Sequence, residues 1–484
     1  MNDNPNDLKS MLPDDALLRA SGAPLIQGNR LRVLRDGREN YPEWEAAIRA
    51  AKTTIHLEMY IIHNDATGRH FRDLLTDRAR EGIKVRVLYD WFGAMNTLCS
   101  GMWNPLRAAG GEVRAANPPR ISGLLGWVRR DHRKLLTVDS SVAFVSGLCI
   151  GDAWVGNPSK GVQPWRDTGV VIHGPAVIHI ENAFADAWRL AGGEIAAVTT
   201  QHRDSIHWDG SVAVRIIAAS PETASLYRLD LLIAAAAQEY LWLTDAYFLG
   251  TSAYLQALRS AAKDGVDVRL LVPHGSDIQW IANLSRTSYR ALLEAGVRVF
   301  EWNGPMMHAK TAVCDGLWAR VGSTNLNISS WLGNWELDVV IEDEGVAVQI
   351  EEMFLQDLEN ATEVVLTDKN KVRPVHRPPR APRGRILRSS GQSVLLRAVT
   401  AGSALNAAVT GKRRLHRAES SSLFSIGIIF CIIALAVFFL PTVVAYALAV
   451  MFGLIGAFLL TRSLRLRFAK PEIEGEEPPR PDAS

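Results

Sequence analysis

The sequence predicts an α/β protein: two tandem α/β domains related by a pseudo-twofold axis, followed by a C-terminal transmembrane helical hairpin. Three observations predict it. Residues 1–368 read as one series of helices and strands written twice. A short motif, His-x-Lys-x4-Asp, recurs in each copy, as HRKLLTVD (132–139) and HAKTAVCD (308–315). Residues 423–460 form a run of 38 residues without a charge.

In the first copy the alanine-rich AAIRAAK predicts a helix, and TTIHLEMYIIH a strand that carries an acid, Glu58. FRDLLTDRAREG predicts a second helix stopped by glycine, and IKVRVLYD the next strand. RAAGGEVRAANP repeats the helix–Gly–strand step. The second copy gives LLIAAAAQEY, then LWLTDAYF with Asp245, LQALRSAAKDG, VDVRLLVP and LLEAGVRVFEWNG in the same order. Alanine and leucine favour helix, β-branched runs favour strand, and glycine ends helices. Their alternation argues for layered α/β domains. The motif histidines lie 176 residues apart, a domain-sized repeat rather than a solenoid period. The expected domains are residues 1–208 and 209–368.

The remainder divides by composition. Residues 369–417 hold 13 Lys/Arg and no Asp/Glu, whereas residues 1–368 hold 35 basic and 45 acidic residues. A nucleic-acid enzyme would carry its positive charge around the site. Here the charge sits in a linker, 369–422, next to an apolar segment, which suits anionic lipid headgroups. One straight helix of 38 residues would measure about 57 Å against a hydrocarbon core of about 30 Å. Two helices turning near Pro441 fit, and Lys/Arg clusters on both flanks place both ends in the cytoplasm. A buried helical hairpin in a soluble domain is the competing reading. Residues 461–484 form a tail. The polar N-terminal stretch shows no secretory-signal pattern. Cys99, Cys149, Cys314 and Cys431 show neither a CxxC pair nor metal-ligand spacing, so neither a disulfide framework nor structural zinc is expected.

On an extended strand, side chains alternate faces. His132 and Lys134 then share a face, as do His308 and Lys310, while Asp139 and Asp315 point away and read as structural. A lysine ammonium suits a nonbridging phosphate oxygen, and an imidazole serves as nucleophile or general acid. Ser323 and Asn325, after Gly322, add neutral donors. One histidine cannot both attack phosphorus and protonate the leaving alcohol. Two can, if His132 and His308 face each other across one phosphate. With two lysines on one phosphate no metal is required, and no cofactor is expected.

These motifs resemble those of the phospholipase D superfamily, and within it the bacterial cardiolipin synthases. The resemblance covers about residues 30–370. It rests on both His-x-Lys-x4-Asp motifs, GSTN at 322–325 and NWE at 334–336. It implies two tandem phospholipase D-like domains, a phosphohistidine on His132, acid–base work by His308, and a supporting carboxylate at Glu336 with Asp167 as first-half counterpart. The first copy departs from the pattern: Ser146-Gly147-Leu148-Cys149 stands where Gly322-Ser323-Thr324-Asn325 stands in the second.

The expected function is therefore a membrane phosphatidyltransferase that makes cardiolipin from phosphatidylglycerol, on the cytoplasmic side of the bacterial inner membrane. A phospholipase D releasing phosphatidic acid would use the same residues. A nuclease is disfavoured by the acidic body, and a purely binding protein by two intact His–Lys pairs. The loop ISGLLGWVRRDHRK reads either as core or as a membrane contact through Leu124, Leu125, Trp127, Arg129 and Arg130. Met306 and Met307 read as core.

Overall fold

The computed structural model describes residues 12–98, 100–118, 129–157, 161–195, 209–366 and 372–374. The first half holds β1 (Ile26–Arg35), β2 (Thr54–Met59), β3 (Lys84–Asp90), β4 (Glu112–Ala116), β5 (Arg130–Asp131), β6 (Lys134–Val138), β7 (Val142–Ser146) and β8 (Thr168–His173). The second holds β9 (Val212–Ala219), β10 (Tyr240–Thr244), β11 (Asp267–Pro273), β12 (Arg298–Trp302), β13 (Thr311–Cys314), β14 (Trp318–Gly322), β15 (Asn334–Glu342), β16 (Ala361–Leu366) and β17 (Val372–Pro374).

The first sheet runs β4-β3-β2-β6-β7-β8-β1. The second runs β17-β16-β12-β11-β10-β13-β14-β15-β9. Without β16 and β17 the two orders match strand for strand, so the sequence repeat is a repeat of topology. β2, β3 and β4 are parallel, as are β10, β11 and β12. Parallel neighbours need a crossover, and the helices Ala66–Arg80 and Ser252–Lys263 supply it. Each starts on a side-chain cap, Asp65 or Thr251. Beyond each helix Gly82 (φ 89°) and Gly265 (φ 102°) take a left-handed conformation that other residues resist.

The halves share a core. Val145, Val170 and Ile172 of the first sheet lie in one buried cluster with Val321, Val339 and Ile341 of the second. The helices Ala176–Leu190 and Glu344–Glu359 add Ile180, Phe184, Val346 and Ile350 to it. Strand β1 pairs with β8 along Arg30–Arg35 and with β9 at Ile26 and Asn29, joining both sheets. The two expected domains accordingly fall within one compact unit.

β17 lies beyond the boundary expected at residue 368, because its backbone pairs with the edge strand β16. Among the described residues no helix is long and apolar enough to cross a membrane. The expected hairpin at 423–460, the tail, and the basic linker other than β17 lie outside the described residues.

Candidate active site

Each motif histidine reaches the site on backbone held by the opposite half. β5 lies parallel to the start of β15, and the His132 amide donates to the Trp335 carbonyl at 2.9 Å. The second half mirrors this: the His308 amide donates to the Arg166 carbonyl at 2.7 Å. Glu336 follows Trp335, and Asp167 follows Arg166. The contacts therefore cross. His132 Nδ1 lies 2.9 Å from Glu336 Oε2, and His308 Nδ1 lies 2.7 Å from Asp167 Oδ2. A carboxylate only accepts, so each imidazole carries its proton on Nδ1 and turns Nε2 away as a lone pair.

The motifs do not lie wholly on strands. β6 starts at Lys134 and β13 only at Thr311, because the histidines are bonded to the other half instead. Lys134 and Lys310 still stand with their histidines, each ammonium donating to its own histidine's carbonyl. Asp139 (φ 53°) and Asp315 (φ 48°) occupy the turns at the far ends of β6 and β13. Asp139 accepts from the amides of Lys52, Thr53 and Thr54, and Asp315 from those of Gln238, Glu239 and Tyr240. Each thereby fixes the entry to β2 or β10. Burial opposes it, but these donors hold the Asp139 carboxyl below its ordinary range.

The four motif side chains are almost fully enclosed: His132 is 5% exposed, His308 2%, Lys310 1% and Lys134 0%. Burial pushes His132 down to about 4 against the pull of Glu336. Burial and the Lys310 ammonium push His308 down to about 3 against Asp167. Burial likewise brings Lys310 down to about 8, with Asp167 opposing and Lys134 adding to the fall. Both imidazoles are therefore neutral at pH 7. Each also feels the lysine of the other half, so the two motifs act on one electrostatic site.

Ser323 departs from its expected place as a phosphate donor. Its hydroxyl donates to Glu336 Oε2 at 2.6 Å and accepts from the Leu337 amide at 2.9 Å. A hydroxyl has one proton, and here the carboxylate holds it. Asn334 Nδ2 donates to Glu336 Oε1 at 3.1 Å. Asn325 is 3% exposed, and its Oδ1 has no hydrogen-bond partner among the described residues. In the first half the Cys149 thiol is buried, and burial raises it, with Lys134 opposing, so it stays protonated. Tyr60 packs edge-on to His132 at 4.8 Å, while Trp154 and Trp165 flank His308 at 5.7 and 5.4 Å.

Other expectations shift. Glu58 registers with Thr244 rather than Asp245: Glu58 lies opposite Leu135 and Thr244 opposite Thr311. Arg130 is no membrane contact, being 4% exposed, bonded to Asp90 at 3.2 Å and packed on Trp91 and Phe92. Arg129 pairs with Glu222 at 2.7 Å. Leu124, Leu125 and Trp127 lie outside the described residues. Met306 and Met307 are fully buried. Among the described residues no three His, Cys, Asp or Glu side chains gather as a metal site.

The family model described as "Cardiolipin synthase, PLD-like domain" matches residues 45–188 and 232–358, one motif in each segment. The chain belongs to this family. Cardiolipin synthase of Alkalihalophilus pseudofirmus is 32% identical over 345 residues, covering 70% of this chain and 68% of that protein. Cardiolipin synthase A of Pseudomonas putida is 32% identical over 367 residues, 74% of each chain. Among solved structures, the phosphatidylserine synthase of Haemophilus influenzae aligns with a TM-score of 0.58 and 15% identity, over 72% of this chain and 91% of that one. At that identity the likeness concerns the fold.

Within this family frame, sequence reasoning passed over Asn334, Tyr60 and Trp154. Asn334 stands in the NWE triplet itself. Tyr60 lies in the expected strand TTIHLEMYIIH and just past the end of β2. Trp154 had one signal: Gly147 deprives Asp167 of the hydroxyl that Ser323 gives Glu336, and another donor had to replace it.

Proposed function

We propose that the chain is a phosphatidyltransferase that makes cardiolipin from two molecules of phosphatidylglycerol. The observation that carries the reading is the crossed pair of His–carboxylate contacts, which sets two imidazoles within the field of the same two lysines. His132 Nε2 attacks the phosphorus of the first lipid, and the bond to its glycerol breaks. Burial and the Lys310 ammonium keep His308 neutral in the empty site; the phosphodiester charge opposes them, so His308 Nε2 takes up a proton from solvent as the lipid binds and passes it to the departing glycerol. His308 then takes a proton from the free hydroxyl of the second lipid. That oxygen attacks the phosphohistidine and frees His132, a double displacement. Lys134, Lys310 and the Asn325 amide hold the nonbridging oxygens through both steps.

The apolar run at 423–460 anchors the body as a transmembrane hairpin, with the catalytic halves on the cytoplasmic side of the bacterial inner membrane. The Lys/Arg flanks and the basic linker support that placement. Mass spectrometry of lipids after incubating the purified protein with phosphatidylglycerol tests the reading. Cardiolipin with equimolar glycerol is expected; phosphatidic acid as the sole lipid product would replace transfer with hydrolysis.

A further inference from the structure

The two supporting carboxylates are held in parallel ways by unlike residues. Glu336 Oε2 takes the His132 imidazole and the Ser323 hydroxyl, at 2.9 and 2.6 Å. Asp167 Oδ2 takes the His308 imidazole and the Trp154 indole N–H, at 2.7 and 3.0 Å. Gly147 stands where Ser323 stands in the other half. A Cβ there would come within 2.2 Å of Asp167 Oδ1, so a serine would displace the carboxylate from this position. The remaining oxygen, Asp167 Oδ1, accepts from the Thr168 amide at 2.8 Å.

Trp154 is fixed for this task. It is 1% exposed, on the short helix Asp152–Val155. Asp152 Oδ1 accepts from the Thr67 amide and hydroxyl, at 3.1 and 2.9 Å. The indole also packs edge-on to the His308 ring at 5.7 Å, touching both members of the pair. Among the described residues the second half has no such tryptophan. Trp331, on the helix Ile328–Leu332, sends its N–H to Asp230 at 2.7 Å instead.

We infer that Trp154 is a positioning residue for the acid–base histidine, orienting His308 through Asp167 as Ser323 orients His132 through Glu336. The inference rests on the transferase reading above, with His308 as the proton donor. A hydrogen bond to a carboxylate fixes both its rotamer and its charge. Losing the indole N–H leaves the carboxylate of a buried proton donor loosely held. It therefore harms the steps in which His308 moves a proton more than the attack by His132.

The test compares two leaving groups in detergent micelles. Phosphatidylglycerol needs a proton on its departing glycerol, whereas phosphatidyl-p-nitrophenol releases a stable anion. First-turnover release of glycerol and of p-nitrophenolate is followed in wild type, Trp154→Phe, Ser323→Ala and His308→Ala. Trp154→Phe should lower the glycerol rate at least about tenfold more than the p-nitrophenolate rate, in line with one charge-assisted hydrogen bond. Ser323→Ala should lower both rates alike. His308→Ala should show the strongest bias against glycerol. Equal loss on both substrates in Trp154→Phe, or no loss, overturns the role of Trp154. An unbiased His308→Ala overturns the proton-donor reading beneath it. Melting temperatures of the four proteins separate either result from misfolding.

Discussion

His132 and His308 are buried beside lysines, and that setting governs how they titrate. Their folded values of about 4 and 3 lie below the ordinary histidine value near 6.5. As pH falls below about 6.5 the unfolded chain takes up protons that the folded chain refuses, so stability is present above that pH and lost below it. Each histidine contributes a slope of up to about 1.4 kcal/mol per pH unit. Melting of His308→Asn should accordingly fall less than wild type between pH 7 and pH 5; an equal fall would contradict the burial of a neutral imidazole. For turnover, His132→Ala and His308→Ala should each lose at least about a thousandfold, measured as cardiolipin formed. These residues were legible because a fixed spacing recurs twice. Their pairing was not, since the contacts span 204 and 141 residues and cross between the halves. Ser323 is expected beside a phosphate; its hydroxyl donates to Glu336, 13 residues away, a partner that motif spacing does not report.

At the scale of elements, Asp139 and Asp315 sit at strand ends. Each accepts three backbone amides at the entry to a central strand. Asp315→Asn should cost about 1–3 kcal/mol in denaturant unfolding while kcat falls less than about threefold. A collapse of kcat without loss of stability would move Asp315 into the site. The helices and strands were legible from alanine-rich runs, β-branched runs and the glycines between them. The strand starts were not. Period-two alternation suggested strand from His308 onward, but backbone bonds to the Arg166 segment delay β13 until Thr311. Whether a residue joins a ladder depends on a partner distant in sequence, which periodicity does not report.

At the scale of the molecule, the repeat is two sheets around one core. Val145 and Val170 pack in the same cluster as Val321 and Val339. Exposing each such side chain costs about 1.5–3 kcal/mol. Residues 1–208 and 209–368, expressed apart, should therefore aggregate or regain activity only when mixed. Two independently folded, monomeric halves would contradict the shared core. The repeat itself was legible, but not the union of the halves, since one β-sheet face looks alike in sequence whichever surface covers it. In the proposed mechanism the halves build one site with crossed supports and divided labour. Rapid quenching with phosphatidylglycerol labelled at phosphorus, followed by peptide mapping, tests it most directly. Label is expected on the peptide carrying His132, forming slowly in Glu336→Gln. Label on His308, or a Glu336→Gln protein that labels His132 at the wild-type rate, would contradict it.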